Sequence, residues 1–357
     1  MLKYLKERLN DYNCEEFLNE LAEASKNLGI LEAKIDNYHF DKILIPMLHK
    51  KEAISSMFIE GTQTTISDVF ENEVNPKTSN DKIMIEVSNH TRTLRYGSEY
   101  LLMDDFSNDF IQKIHKLMMT DIISKNKQVT IGKYKIKDNF IVNSAGTIVF
   151  VPPSYKDTKK YMDELIAFMN RKDDGINPLI KAAIIHSQFE SIHPFEDGNG
   201  RVGRVLISLY LFKANVINFP FFYISESISQ DKSVYYSKLT DSRKNNYNEW
   251  IKYFLRKIII QTKAHAKYID ELNTLYDNTK HVVQKSINSS KFDTIIECLF
   301  THPVLTSSYL AEKLEVSVGQ AKRYINVLEE KHILVGDDRK RNRSFFFIDL
   351  LDLARRM

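Results

Sequence analysis

Apolar residues recur at three- and four-residue intervals along most of the chain, the period of an amphipathic helix. In DDFSNDFIQKIHKLMM the spacing sets Phe110, Ile111, Ile114 and Leu117 on one face, and in DTKKYMDELIAFMN it does the same for Met162, Leu165, Ile166 and Met169. Each segment predicts a helix with one buried stripe. One region departs from this period. In YKIKDNFIVNSAGTIVFVPP, β-branched and aromatic residues flank Asn143-Ser144-Ala145-Gly146, and Pro152-Pro153 stops the second arm, which predicts a β-hairpin. No internal repeat or low-complexity segment interrupts the chain, and the polar run DNTKHVVQKSINSS predicts a linker over residues 277–290, part of which is also compatible with helix.

Beyond that linker, FDTIIECLF, TSSYLAEKLE and SVGQAKRYINVLEEKHI are short apolar-periodic segments, with Thr306 and Ser317 as N-caps of the second and third. LVGDDRKRNRSFFFI then gives a basic turn between two β-prone arms. Residues 291–357 therefore resemble a winged helix-turn-helix. Two uses suit such a module. Lys322 and Arg323 on its third helix, with Arg339, Lys340, Arg341 and Arg343 in the wing, could meet the phosphates of DNA; alternatively the module docks protein. Glu312, Glu315, Glu329, Glu330, Asp337 and Asp338 dilute the basic face and weigh against DNA.

The chain has 357 residues, enough for two or three domains with an unaided core. Eleven glycines and eight prolines are too few for an all-β protein, so the expected fold class is mainly α. The 50 basic and 47 acidic side chains nearly cancel, which removes any whole-chain argument for a nucleic-acid coat or a membrane surface. Cys14 and Cys298 stand far apart without CxxC spacing, as expected in a reducing compartment. The start, MLKYLKERLNDYNCEEF, lacks the apolar region of a signal peptide, and no run of about 18 apolar residues predicts a spanning helix. A cytoplasmic location without membrane partners is expected.

The densest chemistry lies in SIHPFEDGNGRVGR, Ser191 to Arg204, between the helical patterns NPLIKAAIIHSQFESI and RVLISLYLFKAN. The second helix is expected to begin near Asn199 or Gly200. A helix start presents unpaired N–H groups and the positive end of its dipole, a cradle for anions. Gly198 and Gly200 let the backbone approach a phosphate, and Arg201 and Arg204, three apart, point to one side with forks that fit further phosphates. Asp197 beside them is placed to hold magnesium, for which manganese could substitute. His193, four residues earlier, is placed to remove a proton from an attacking hydroxyl. The layout predicts phosphoryl-type transfer. His186, Gln188 and Glu190 are read as structural, Phe195 as a core anchor and Glu196 as surface.

From His193 to Arg204 the run fits the Fic family signature HxFx(D/E)GNGRxxR at every fixed position, and the resemblance extends over roughly Asp36 to Ile258. It implies a helical core with a hairpin flap, and transfer of AMP from ATP to a hydroxyl of a target protein or of the chain itself. It also implies that His193 is the base and Asp197 the magnesium ligand. Gly198, Asn199, Gly200, Arg201, Val202, Gly203 and Arg204 would form the nucleotide cradle, the two arginines meeting the outer phosphates. Thr147, Ile148, Val149 and Phe150 are expected to dock the target as an edge strand. Tyr235 and Tyr236 are the candidates to wall the adenine, and Trp250 is read as core.

A second stretch, SSMFIEG, matches the (S/T)xxxE(G/N) pattern of regulated members of that family, with Ser56, Glu60 and Gly61 at the fixed positions. Residues four apart share a helix face, and a glycine can end the helix directly after the glutamate. The resemblance implies that Glu60 pairs with Arg204 and blocks the γ-phosphate, because an arginine committed to a carboxylate cannot also take a phosphate. The expected organisation is an N-terminal helical region with the inhibitory motif at 1–98, a Fic core at 99–276, the linker at 277–290 and the winged-helix-like module at 291–357. Two other activities fit the same residues: removal of AMP by a water that Glu60 orients, and transcription regulation through DNA with the nucleotide site as a sensor. A homo-oligomer whose interface gates the inhibitory helix is also compatible.

Overall fold

Helices form wherever the apolar period runs. The computed structural model describes residues 2–9, 12–36, 43–75, 81–122, 130–142, 145–172, 174–218, 220, 222–244, 247–339 and 343–356. Its helices are α1 (Leu5–Arg8), α2 (Leu18–Asp36), α3 (Leu44–Ile59), α4 (Ile66–Val74), α5 (Lys82–Met103), α6 (Asn108–Met119), α7 (Tyr155–Asn170), α8 (Pro178–Ile192), α9 (Asn199–Lys213), α10 (Ser225–Ser229), α11 (Lys232–Arg243) and α12 (Tyr247–Ser286), followed by α13 (Phe292–Thr301), α14 (Ser307–Leu314), α15 (Val318–Glu330) and α16 (Ile348–Arg356). The strands are β1 (Ile141–Val142), β2 (Ile148–Phe150), β3 (Val304–Thr306), β4 (Val335–Gly336) and β5 (Ser344–Phe346). The fold is mainly α with small antiparallel pairings, as the composition predicts.

The chain divides into two compact units, each assembled from separate stretches. The first comprises Met1–Glu32, Ser55–Thr62 and Ile85–Lys263. Its centre is α8, which is buried on every side from Leu179 to Ile192 and packs along α9. An all-round buried helix needs an apolar collar, and Trp250, Tyr247 and Phe254 of α12 supply part of it. The indole Nε1 of Trp250 donates to Ala183 O at 2.8 Å, so the single tryptophan is both packing and hydrogen-bonding core. The hairpin pairs Ile141 with Phe150 and Val142 with Ile148; Asn143 and Ser144 of its expected turn lie outside the described residues.

The second unit comprises Ala33–Ile54, Gln63–Met84 and Ala264–Met357. Its sheet runs in the order β3-β5-β4, antiparallel throughout, with α13 to α16 around it. Thr306 and Ser317 cap α14 and α15, accepting from Tyr309 N and Gln320 N. Helix α4 packs on β3. Nearby, the Asn75 amide donates to the Ser344 hydroxyl, Arg339 lies 3.6 Å from Glu71, and Arg355 donates to Ser67 Oγ at 2.8 Å.

Two segments depart from the expected elements. Helix α12 runs through Ser286 and so takes up most of the stretch expected as a linker. The polar run hides apolar contacts at helical spacing: Val283 is fully buried, and Thr279 and Ile287 are 5% exposed. Helix α16, which the strand pattern does not announce, buries Leu350, Leu351, Leu353 and Ala354. Among the described residues no helix is long and apolar enough to cross a membrane.

Trp250→Ala removes the largest fully buried side chain and takes the indole hydrogen bond away from Ala183 O. A loss of about 3–5 kcal/mol is expected, read as a lowered midpoint of urea unfolding.

Candidate active site

The site grows from the junction of α8 and α9. Helix α8 ends at His193, whose φ of 49° and ψ of 59° place it in the left-handed region. That conformation is unfavourable for a residue with a Cβ and persists only where neighbours fix it. Here they do. Asn139 Nδ2 donates to His193 O and Phe195 O at 3.1 and 3.0 Å, Lys135 N to Pro194 O at 2.8 Å, and Lys135 Nζ to Ile192 O at 3.2 Å. Asn199 closes the loop from the other end, accepting from Phe195 N and donating to Phe195 O, both at 2.9 Å.

His115 completes the brace. Its ring stacks on Phe195 at 3.7 Å between centroids. Its Nδ1 accepts from Gly132 N at 2.9 Å, which puts the proton on Nε2, the donor to Asp197 O at 3.0 Å. Neither His115 nor the Lys135–Asn139 clamp stands out in the sequence. The only hint is that the hairpin region is rich in polar residues close to the signature.

Helix α9 starts at Asn199 with Gly198 as N-cap at φ 78°, where a Cβ would strike Met119 Sδ. The N–H groups of its first turn have no intrahelical acceptor. Asp197 is exposed at this end, and its Oδ1 accepts from Gly198 N at 2.7 Å. Arg201 is 3.3 Å from Glu86 and 3.7 Å from Asp197, and its buried Nε has no hydrogen-bond partner among the described residues. Such an orphaned donor at a helix start suits a bound oxyanion.

Arg204 is engaged already. Its Nε donates to Ser56 Oγ at 2.9 Å, and its Nη2 donates to Ser56 O at 3.0 Å and to Glu60 Oε1 at 2.8 Å. Helix α3 delivers both partners from one face, then stops: Gly61 at φ 99° allows Gly61 N to bond Phe58 O and Thr62 N to bond Met57 O, a Schellman ending. Gly200 makes the approach possible, since a Cβ there would collide with Glu60 Oε1. Burial raises the pKa of Glu60, but the charge and hydrogen bond of Arg204, with help from Arg201 and His193, outweigh it and hold the carboxyl below its ordinary value. Burial, with the nearby charges of Lys135 and Arg243, pushes His193 down to about 4. A value of about 4 leaves the imidazole neutral at pH 7, and its buried Nδ1 has no hydrogen-bond partner among the described residues.

Thr147, Ile148 and Val149 of the hairpin are exposed, and Phe150 is half-buried beneath the Arg243 guanidinium, 4.6 Å from the ring centroid. Arg243 also donates to Ser191 Oγ at 3.2 Å and Glu190 O at 3.4 Å, so it ties the flap to the end of α8. Sequence reasoning passes over Arg243. Four expected residues face inward. Val202 is fully buried, and Gly203 O pairs with His186 Nδ1. Asn199 is 2% exposed with its side chain given to the loop. Tyr235 is 1% exposed with its hydroxyl on His186 Nε2 at 2.9 Å, because its ring fills the core beside Trp250. Tyr236 is half in solvent, its hydroxyl donating to Ile59 O at 3.4 Å and its ring 5.2 Å from that of Tyr235.

Comparison with known proteins agrees with the geometry. The family model described as Fic/DOC family matches residues 105–211, and that described as Fic/DOC family N-terminal matches residues 18–99; together they span more than half of the chain. The protein adenylyltransferase Fic of Nematostella vectensis is 29% identical over 158 residues, 42% of this chain and 34% of that protein, so the chain spans about a third of the relative's length. A probable protein adenylyltransferase of Aquifex aeolicus (strain VF5) is 26% identical over 247 residues, 66% of this chain and 72% of the relative. The crystal structure of a Fic family protein from Desulfovibrio desulfuricans G20 shares the fold, with a TM-score of 0.59 at 17% identity over 93% of this chain and 95% of that one.

The neutral state of His193 is directly measurable. In histidine ring NMR its titration midpoint is expected near 4. A midpoint near the ordinary value of about 6.5 would mean a solvated ring, charged over much of the working range.

Proposed function

Because the chain belongs to the Fic/DOC family, we propose that it is a protein adenylyltransferase held inactive by its own Glu60. The observation that carries the reading is the commitment of Arg204 to Ser56 and Glu60 directly above the α9 cradle. Two relatives named as adenylyltransferases support the activity.

In the proposed reaction a hydroxyl of the target, laid along the exposed flap edge at Thr147 to Phe150, attacks the α-phosphorus of ATP. The bond from the hydroxyl oxygen to phosphorus forms as the bond to the bridging oxygen breaks, and diphosphate leaves with that electron pair. His193 takes the hydroxyl proton, a role its neutral ring permits, and passes it to water. Arg201 and the first turn of α9 hold the phosphates. Arg204 joins them once Glu60 has withdrawn. An accessible Ser, Thr or Tyr of the chain itself can serve as the acceptor in place of a separate target protein.

Among the described residues no group of three or more His, Cys, Asp or Glu side chains converges as an all-protein metal site. One exposed carboxylate, Asp197, at the mouth of a phosphate cradle fits magnesium, or manganese, whose other ligands are phosphate oxygens and water. When bound, the metal would supply charge neutralisation for the departing diphosphate. In the carboxy-terminal segment, read here as winged-helix-like, Arg339 pairs with Asp337 and lies near Glu71, and Arg343 pairs with Glu329. Lys340 and Arg341 lie outside the described residues. With those two arginines engaged internally, the segment reads as a protein-docking module rather than a DNA reader.

ATP labelled at the α-phosphate tests the proposal. With magnesium, Glu60→Gly is expected to retain label at least about tenfold above wild type, and adding His193→Ala is expected to lower it by about 10²-fold or more. Label absent from Glu60→Gly, with a γ-labelled or different nucleotide doing no better, would sink the transferase reading.

A further inference from the structure

Glu190 lies in the last turn of α8, three residues before His193, and the reaction outlined above gives it no part. Its side chain is 6% exposed, and Oε1 has no hydrogen-bond partner among the described residues. It sits in a notch that exists because residue 203 is glycine: a Cβ there would collide with Oε1 and come within 3.2 Å of Phe189. A buried acceptor without a donor is uncommon in proteins and calls for a physical explanation. The groups that face it supply one. The charges of Arg204 on α9, Glu60 at the end of α3 and Arg243 on α11 act on it, and it acts in turn on Tyr235 and Tyr236 of α11.

We propose that Glu190 is a positioning residue for Arg204: the internal carboxylate that balances the guanidinium when Glu60 withdraws and that, once ionised, loosens Glu60's hold. The proposal rests on the reading of Glu60 as inhibitor. Arg204 is permanently charged, and its side chain is 1% exposed, so departure of Glu60 leaves a buried cation without a counter-ion. Glu190 then gives its proton to bulk water, and one carboxylate again faces one guanidinium. When the outer phosphate of the nucleotide arrives, two anions crowd Arg204 and Glu190 takes a proton back from water.

The electrostatics supply the required poise. Burial pushes Glu190 up to about 7; Arg204 and Arg243 pull against that, and Glu60 adds to the rise. Lys135 aside, the titratable groups around it among the described residues lie well away from 7: His193 is pushed to about 4, His186 to about 3 and Tyr236 up to about 12, with Tyr235 well above its ordinary value. Lys135, beside His193, is lowered to about 8 by burial, and its effect is common to every variant compared below. Coupling is reciprocal: the factor by which Glu60 raises the proton affinity of Glu190 is the factor by which ionised Glu190 weakens Glu60.

Two measurements on the full chain test this. In carboxyl NMR of glutamate-labelled protein, the Glu190 resonance, assigned by its loss in Glu190→Gln, is expected to titrate near 7 in wild type and lower in Glu60→Gly. If Glu190→Gln does not fold, Glu190→Asp makes the assignment. In α-label transfer, the ratio of wild type to Glu60→Gly is expected to rise on the order of tenfold between about pH 6 and 8. The same ratio measured in the Glu190→Gln background is expected to stay flat. An unmoved NMR midpoint in Glu60→Gly, or an equal rise in both backgrounds, overturns the proposal. If Glu60→Gly transfers no label, the transferase reading fails while the NMR arm still decides whether the two carboxylates are coupled.

Discussion

The buried charge of Arg204 is the constraint around which the site is arranged. A guanidinium cannot shed its proton, so a residue on the inward face of α9 must always have an anion or several acceptors against it. Ser56 supplies two acceptors and Glu60 the carboxylate. The glycines of the signature make that possible. A Cβ at Gly200 would meet Glu60 Oε1, and a Cβ at Gly203 would meet Glu190 Oε1. The two glycines therefore leave room for two carboxylates, Glu60 against Gly200 and Glu190 against Gly203.

The loop before α9 shows the same economy. His193 in a left-handed conformation would cost about 1–2 kcal/mol if the chain were free, whereas Gly198 takes φ 78° without that penalty. Hydrogen bonds from Asn139, Lys135 and Asn199 to loop backbone, with His115 stacked on Phe195, offset that cost. If His193 is the base and the start of α9 the phosphate cradle, as proposed, groups fixed in advance need little reorganisation when substrate binds, which is where electrostatic catalysis gains most. Apart from Asn199, the bracing side chains come from α6 and from the segment after it. The loop is thus held largely by residues 54 to 82 positions away in the chain.

That distance explains what was legible in the sequence. The helical period, the hairpin, the signature from His193 to Arg204 and the SSMFIEG motif are local patterns, and each can be read within a window of a few residues. Side-chain direction cannot. Tyr235 and Tyr236 are adjacent and chemically alike, yet one closes the core on His186 and the other is half in solvent. Asn199 looks like a phosphate donor by position, but its amide matches the two backbone groups of Phe195 and is consumed there. The stretch at 277–290 reads as a linker because its polar residues outnumber its apolar ones, while burial of Val283 is decided by partners no local pattern names. Glu190 is the sharpest case: one acidic residue in an apolar helix reads as structural until Gly203 and Arg204 are seen beside it.

The two ends of the Glu60–Arg204 pair are not equivalent, and that asymmetry sets how the proposed inhibition would be released. Arg204 is walled in on a central helix, whereas the side chain of Glu60 is 39% exposed at the tip of α3. A half-exposed carboxylate regains water as it leaves, so its release costs far less than moving the guanidinium would. The tip is also a helix terminus, closed by the Schellman turn at Gly61, and helix ends are where a fold opens most readily. On this view the strength of the proposed inhibition would follow from the free energy of unwinding or tilting the last turn of α3, with the ion pair contributing only its solvent-discounted share. A signal that acts on that turn therefore need not reach the nucleotide site at all.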